Sequence, residues 1–114
     1  MATFNESAGG PIPLSTAKKW TANYRVTSKP DDTEAHYFGG DIIHRLLNQD
    51  KSVGIRMYYA LDDQGKKQLL LVGVDKDGNN LLPVDDAAGR SEGDDPIIVD
   101  YSLPCPTYCG NKPL

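Results

Sequence analysis

The sequence predicts an α+β domain in which two helices pack on one face of a small, mainly antiparallel sheet of three to four strands. Three observations lead there. Apolar residues recur at helical spacing in two early stretches, Ala17–Tyr24 and Ile42–Leu47. From Val53 onward the spacing changes to a two-residue alternation. Clusters of Asp, Gly and Asn then separate the later apolar runs, as turns between short strands do.

The elements follow in chain order. Residues 1–13 are rich in Gly, Pro and small polar side chains and read as a flexible arm. Ser15 offers an N-cap, and Ala17, Trp20, Thr21 and Tyr24 fall on one face of a helix over about residues 15–25. Aromatics at that spacing are usually core, so Trp20 and Tyr24 are expected to cover the sheet. Lys18 and Lys19 stand in the first turn, against the helix dipole. Pro30 restrains Lys29 from helix and makes residues 27–33 a linker. Gly39-Gly40-Asp41 opens a second helix running to about Gln49, with Ile42, Ile43, Leu46 and Leu47 in one sector of about 140°.

Val53, Ile55, Met57, Tyr59 and Leu61 alternate with Gly54, Arg56, Tyr58 and Ala60, the signature of a half-buried strand. Asp62-Asp63-Gln64-Gly65 turns the chain into Gln68–Val74, apolar at nearly every position and so suited to a central strand. These two runs predict an antiparallel hairpin. A second turn at residues 77–80 leads to a short third strand at Leu81-Leu82. Residues 83–96 form an acidic loop, and Ile97-Ile98-Val99 with Tyr101 reads as an edge strand. The expected organisation is an arm (1–13), a single α+β domain (14–110) and a tail (111–114).

Composition limits the function classes. The 114 residues carry 12 Lys+Arg against 16 Asp+Glu, a formal charge of −4. Five acids and one base lie between Pro83 and Pro96, so the acidity belongs to that loop. No basic run exceeds two neighbours, which argues against nucleic acid as a partner. No apolar stretch approaches the roughly 20 residues that span a bilayer, so a membrane is not expected either. Leu, Ile, Val and Phe make up roughly a fifth of the chain, close to the limit below which chains stay disordered. A small soluble domain is expected. Met1–Pro13 has neither a basic start nor an apolar core of a secretory signal, which favours the cytoplasm. An exported form with its signal removed is the alternative.

The chemistry-bearing residues are few. Cys105 and Cys109 flank Pro106, Thr107 and Tyr108 in a C-x-x-x-C string. Pro106 suits the first position of a helical turn and Gly110 its end, placing Cys105 at an N-cap where its thiolate would be favoured. Three outcomes fit: a local disulfide on the tail, a redox dithiol, or half of a soft-metal site. A zinc site would recruit His36 and His44, which sit eight residues apart and form no pair on one helical face. Asp75, Asp77 and Asn79 alternate as ligands of a calcium loop do. Asn80 stands where glycine is expected and Asp86 where glutamate is, and a hairpin turn explains the same residues. Arg56 and Tyr58 share the second face of the hairpin and form a candidate binding surface. No nucleophile elbow, phosphate-cradling glycine loop or His-Glu-x-x-His pair is present. Phe38-Gly39-Gly40 could offer N–H groups to an anion, although a tight start to a helix explains it equally.

Two resemblances carry different weight. Cys105-Pro106-Thr107-Tyr108-Cys109 resembles the copper-binding motif of thioredoxin-like copper-delivery proteins. That motif follows an early strand and is completed by a downstream histidine, and no histidine follows Cys109 here. The stretches Ala35-His36-Tyr37-Phe38-Gly39, Val53-Gly54-Ile55-Arg56-Met57-Tyr58, Leu71-Val72-Gly73-Val74-Asp75 and Pro104-Cys105-Pro106-Thr107-Tyr108-Cys109 resemble a family of small uncharacterised bacterial proteins with a C-terminal PCPxxC motif. The resemblance covers most of the chain and implies a grouping without a known activity.

The expected function is a non-catalytic binding or protein-interaction module without a cofactor. Its partner would be a protein, a small molecule or a second copy in a homo-oligomer. A thiol-redox or metal-binding protein using Cys105 and Cys109 is the alternative.

Overall fold

The structure is a computed structural model, and it describes residues 4–84, 96–112 and 114. The α+β class holds: two helices accompany two antiparallel sheets, of two and four strands. The elements are α1 (Leu14–Thr27), β1 (Ala35–Tyr37), α2 (Gly40–Leu47), β2 (Gly54–Leu61), β3 (Lys67–Val74), β4 (Asn80–Leu81), β5 (Ile98–Val99) and β6 (Leu103–Cys105). They cluster into two compact units. Unit 1 draws on Met1–Ala8 and Phe38–Ser102, and unit 2 on Gly9–Tyr37 and Leu103–Leu114.

Unit 1 is the expected helix and hairpin around a shared apolar interior. Gly39 caps α2 in extended conformation, and Asp41 stands in its first turn where the dipole favours a carboxylate. The apolar stripe of α2 buries Leu46 completely and brings Ile42 and Ile43 against the core. Leu71 is equally buried, joined by Ile97 and Val99 and packed by Phe38, Ile55 and Leu69. β2 and β3 pair antiparallel over their full length, from Gly54↔Val74 to Leu61↔Lys67. The far side of β3 is shared by two short strands. Gly73 and Val74 pair with β4, while Leu71 and Val72 pair with β5. Residues Leu71–Val74 are therefore central in the sheet and all buried, which explains why that run carries no polar side chain.

The two turns of unit 1 share one geometry. The Asp62 N–H donates to the Lys66 carbonyl (2.9 Å) and the Gly65 N–H to the Asp62 carbonyl (2.9 Å). The Asp75 N–H donates to the Asn79 carbonyl and the Gly78 N–H to the Asp75 carbonyl, both at 3.0 Å. Gly65 (φ 80) and Gly78 (φ 85) take the left-handed conformation that such turns demand. Both turns thus read Asp-x-x-Gly-x.

Unit 2 differs from expectation in three ways. First, α1 begins after Pro13 and not at Ser15, and no side chain caps it. Second, α1 buries none of its residues: Trp20 is 58% exposed and Tyr24 is exposed as well, so neither covers a core. The stripe from Ala17 to Tyr24 is narrow, and Lys18, Lys19, Asn23 and Arg25 crowd it. Third, the chain end forms no helical turn with Cys105 as N-cap. Cys105 instead ends strand β6, which pairs with β1 through Ala35↔Cys105, His36↔Pro104 and Tyr37↔Leu103. Arg25 fastens the helix within this unit, lying 3.7 Å from the Glu34 carboxylate and donating to the Leu114 carbonyl at 2.9 Å.

Other expectations fall partly outside the described residues. The third strand is Asn80–Leu81, one residue earlier than predicted. The acidic loop lies largely at residues 85–95, outside those described. The predicted arm contributes Phe4 to unit 1, where its ring sits on the Asp75–Asn79 turn and Arg56. Among the described residues, no helix is long and apolar enough to cross a membrane.

Candidate functional site

Cross-strand partners point to the same side of a sheet, so the ladder sorts the hairpin into two faces. Ile55, Met57, Tyr59 and Leu61 share a face with Gly73, Leu71, Leu69 and Lys67, the face on which α2 packs. Arg56, Tyr58 and Ala60 share the other with Val72, Leu70 and Gln68.

On this second face the predicted pair Arg56 and Tyr58 is brought together by Asn80. Arg56 Nη1 donates to Asn80 Oδ1 at 2.7 Å and to the Gly78 carbonyl at 3.1 Å. Asn80 Nδ2 in turn donates to the Tyr58 hydroxyl at 2.8 Å. To reach β4 from β2, the Arg56 side chain must cross β3 at the level of Val72 and Val74, both buried. Its guanidinium lies 5.7 Å from the centre of the Phe4 ring, a cation–π contact. The hydrogen bond from Asn80 is the main cause holding the Tyr58 phenol below its ordinary pKa; partial desolvation opposes it, and Arg56 adds to it. Arg56 is thus a tie between strands and N-terminal segment, and Tyr58 remains exposed at its rim.

The α2 face tells a different story at its far end. The core covers Ile55 and Leu69, but Met57 is 56% exposed, Leu61 70% and Tyr59 96%. α2 is eight residues long, roughly 12 Å, while an eight-residue strand spans roughly 26 Å, so the helix covers only part of the hairpin. Among the described residues the outer edge of β2 pairs with no other strand, leaving backbone N–H and C=O groups open beside those side chains. On the opposite edge the chain leaves β5 through Tyr101, left-handed (φ 63) and 96% exposed. Met57, Tyr59 and Leu61 on one strand form an exposed apolar row.

Among the described residues, the predicted metal sets are not gathered. Cys105 and Cys109 form a disulfide with their Cα atoms 4.8 Å apart, so their sulfurs are bonded to each other. His36 lies on β1 opposite Pro104 in unit 2, whereas His44 lies on the exposed side of α2 in unit 1. In the second turn Asp75 Oδ1 accepts the N–H groups of Asp77 (2.9 Å) and Asn79 (3.0 Å), the role Asp62 Oδ1 plays toward Gln64 and Lys66. Asp75, Asp77 and Asn79 thus take part in the same turn bonding as the preceding turn; the twelfth position of a calcium loop, Asp86, lies outside the described residues. Among the described residues, no group of three or more His, Cys, Asp or Glu gathers to hold a metal ion.

Sequence reasoning passed over Gln49 and Gly73. Gln49 Oε1 accepts the Ile97 N–H at 2.9 Å, and its Nε2 donates to the Leu46 carbonyl at 3.2 Å. A side chain at Gly73 would collide with that amide. The glycine in the middle of an apolar strand was the available signal, since it marks a close approach. Comparison with family models, curated proteins and solved structures finds no match to this chain.

Proposed function

We propose that this chain is a non-catalytic binding module that receives an extended segment of a partner along β2. The observation that carries the reading is the pairing of an open strand edge with Met57, Tyr59 and Leu61 exposed on one face of the same strand. An added strand would gain main-chain hydrogen bonds from the edge, and its alternate side chains would meet the apolar row. Tyr59 supplies a large contact with few torsions to freeze, as binding surfaces favour. Arg56, tied to Asn80 and Gly78, holds the strand rigid from behind.

The test is a selection of displayed peptides against the wild-type chain, followed by measurement of the selected peptides on Tyr59→Thr/Leu61→Thr. Threonine keeps strand propensity while removing the apolar surface. Affinity is expected to fall by at least about tenfold, the loss of roughly 1.4 kcal/mol of contact. Light scattering on the wild-type chain reports self-association through the same edge. A monomer for which no peptide is selected, or peptides indifferent to the substitutions, would refute the reading.

A further inference from the structure

We propose that the Cys105–Cys109 disulfide is a reversible clasp on unit 2, whose reduction by a dithiol loosens that unit and leaves unit 1 intact. The apolar interior is unevenly distributed between the two units. Leu46, Leu71, Val72, Val74, Ile97 and Val99, all in unit 1, are buried. Among the described residues, unit 2 buries one hydrophobic residue, and it is Cys105. Its helix buries nothing. Its sheet has two strands of three residues, a size that is marginal in water without a core beneath it. Pro104 sits in that ladder without an N–H to give. The Arg25–Glu34 pair is too exposed to add more than a fraction of a kcal/mol.

Several contacts of the β1–β6 ladder meet at Cys105. Its carbonyl accepts the Glu34 N–H at 2.7 Å, its backbone pairs with Ala35, and its sulfur is bonded to Cys109. The Tyr108 N–H closes the intervening turn on the Pro104 carbonyl at 2.8 Å. Pro106, Thr107 and Tyr108 are exposed and Cys109 is half-buried, so an attacking thiolate meets the Cys109 side of the bond first.

The chemistry balances with a dithiol as reductant. One thiolate of the dithiol attacks Cys109 Sγ, the S–S bond breaks, and its electron pair leaves with Cys105 Sγ, which takes up a proton. The second thiol of the reductant, as thiolate, attacks its own bound sulfur and expels Cys109, which takes up the second proton. The protein gains two protons and two electrons, and the reductant leaves as a disulfide. The five-residue ring that is lost had restrained the opened chain, and its loop-closure entropy corresponds to about 30-fold in the opening equilibrium.

The test is amide hydrogen exchange on the full chain, oxidised and in excess dithiothreitol, with intact mass reporting the thiol state. Exchange in residues 34–37, 103 and 105 is expected to accelerate about 30-fold on reduction while the β2 and β3 amides keep their rates. Reoxidation should restore the slow rates, and Cys105→Ser/Cys109→Ser should match the reduced protein. Three results would each overturn the proposal: a disulfide that excess dithiol leaves intact, unit 2 amides whose exchange does not change, or a parallel rise in β2 and β3.

Discussion

Gly65 and Gly78 stand at equivalent positions of two like turns, and their surroundings differ in one respect. A Cβ added at Gly65 meets nothing within 4 Å, whereas one at Gly78 lies 2.5–2.9 Å from three atoms of the Phe4 ring. Gly65→Ala should therefore cost only the left-handed backbone, about 1–2 kcal/mol. Gly78→Ala should cost more, because Phe4 must move off the turn and away from Arg56. In a Phe4→Ala background the two substitutions should become equal, a non-additivity that urea denaturation of the six proteins measures. Equal costs in the wild-type background would mean that Phe4 does not rest on this turn.

Tyr58 and Asp62 make two pH predictions. Tyr58 titrates below the ordinary phenol value of about 10. A lowered folded pKa favours the phenolate in the folded protein. The stability it adds is present above the unfolded pKa and is lost as pH falls through the lower folded one. Asn80→Ala removes the principal cause, so the phenolate absorbance assigned by comparison with Tyr58→Phe should shift to higher pH. Asp62 follows the same sign in the acid range. The Lys66 N–H is the main cause holding its carboxyl below the ordinary range; desolvation opposes it, and the Gln64 N–H, the Gln68 amide and the Lys66 charge add to the lowering. Its contribution is complete above the unfolded value of about 4 and disappears as pH falls through the folded value. Asp62→Ala should accordingly lower stability at neutral pH and leave it unchanged in strong acid, read as a flattened acid limb of the pH–stability curve.

At the scale of elements, what could be read from the chain was what repeats along it. α2 and the hairpin announce themselves because Ile42, Ile43, Leu46 and Leu47 keep helical spacing and Val53–Leu61 keep alternation, each over several residues. β1 and β6 carry no such signal. Each is three residues long, they join distant parts of the chain, and one contains Pro104, which reads as the end of a strand. α1 misleads in the other direction: its aromatic stripe has core-like spacing, but burial depends on what faces it, and spacing carries no information on that. The candidate surface was half legible. Arg56 and Tyr58 were placed on one face correctly, yet their bonding to Asn80 and Phe4 depends on tertiary approach, and the exposed row on the opposite face emerges only once α2 proves shorter than the hairpin.

The Gln49–Gly73 contact belongs to this scale because it locks α2, β3 and the chain entering β5. Gly73→Val should cost about 1–3 kcal/mol by overpacking against the Gln49 amide and Ser52. Gln49→Ala should cost about 1–3 kcal/mol by leaving the Ile97 N–H without its partner. The double variant should be less destabilised than the two losses combined, since shortening Gln49 opens the space that valine needs. Strict additivity in thermal denaturation would mean the two residues do not meet.

For the whole molecule, the uneven distribution of buried residues makes stability a local quantity. Unit 1 is held by a core that a single truncation can weaken, and unit 2 by a covalent ring and a short ladder. Leu46→Ala, at a fully buried position, should destabilise unit 1 by about 2–5 kcal/mol and speed exchange of the β2 and β3 amides accordingly. Residues 34–37 and 103–105 should keep their rates as long as the disulfide stays closed, because Leu71, Ile97 and Val99, which share the cluster with Leu46, belong to unit 1. Reduction of the disulfide selects the opposite set of amides, so the two perturbations together form a cross-over that one cooperative unfolding reaction cannot produce. A Leu46→Ala protein in which both sets accelerate by the same factor would show that the two units open as one, and the reading of unit 2 as separately clasped would fall with it.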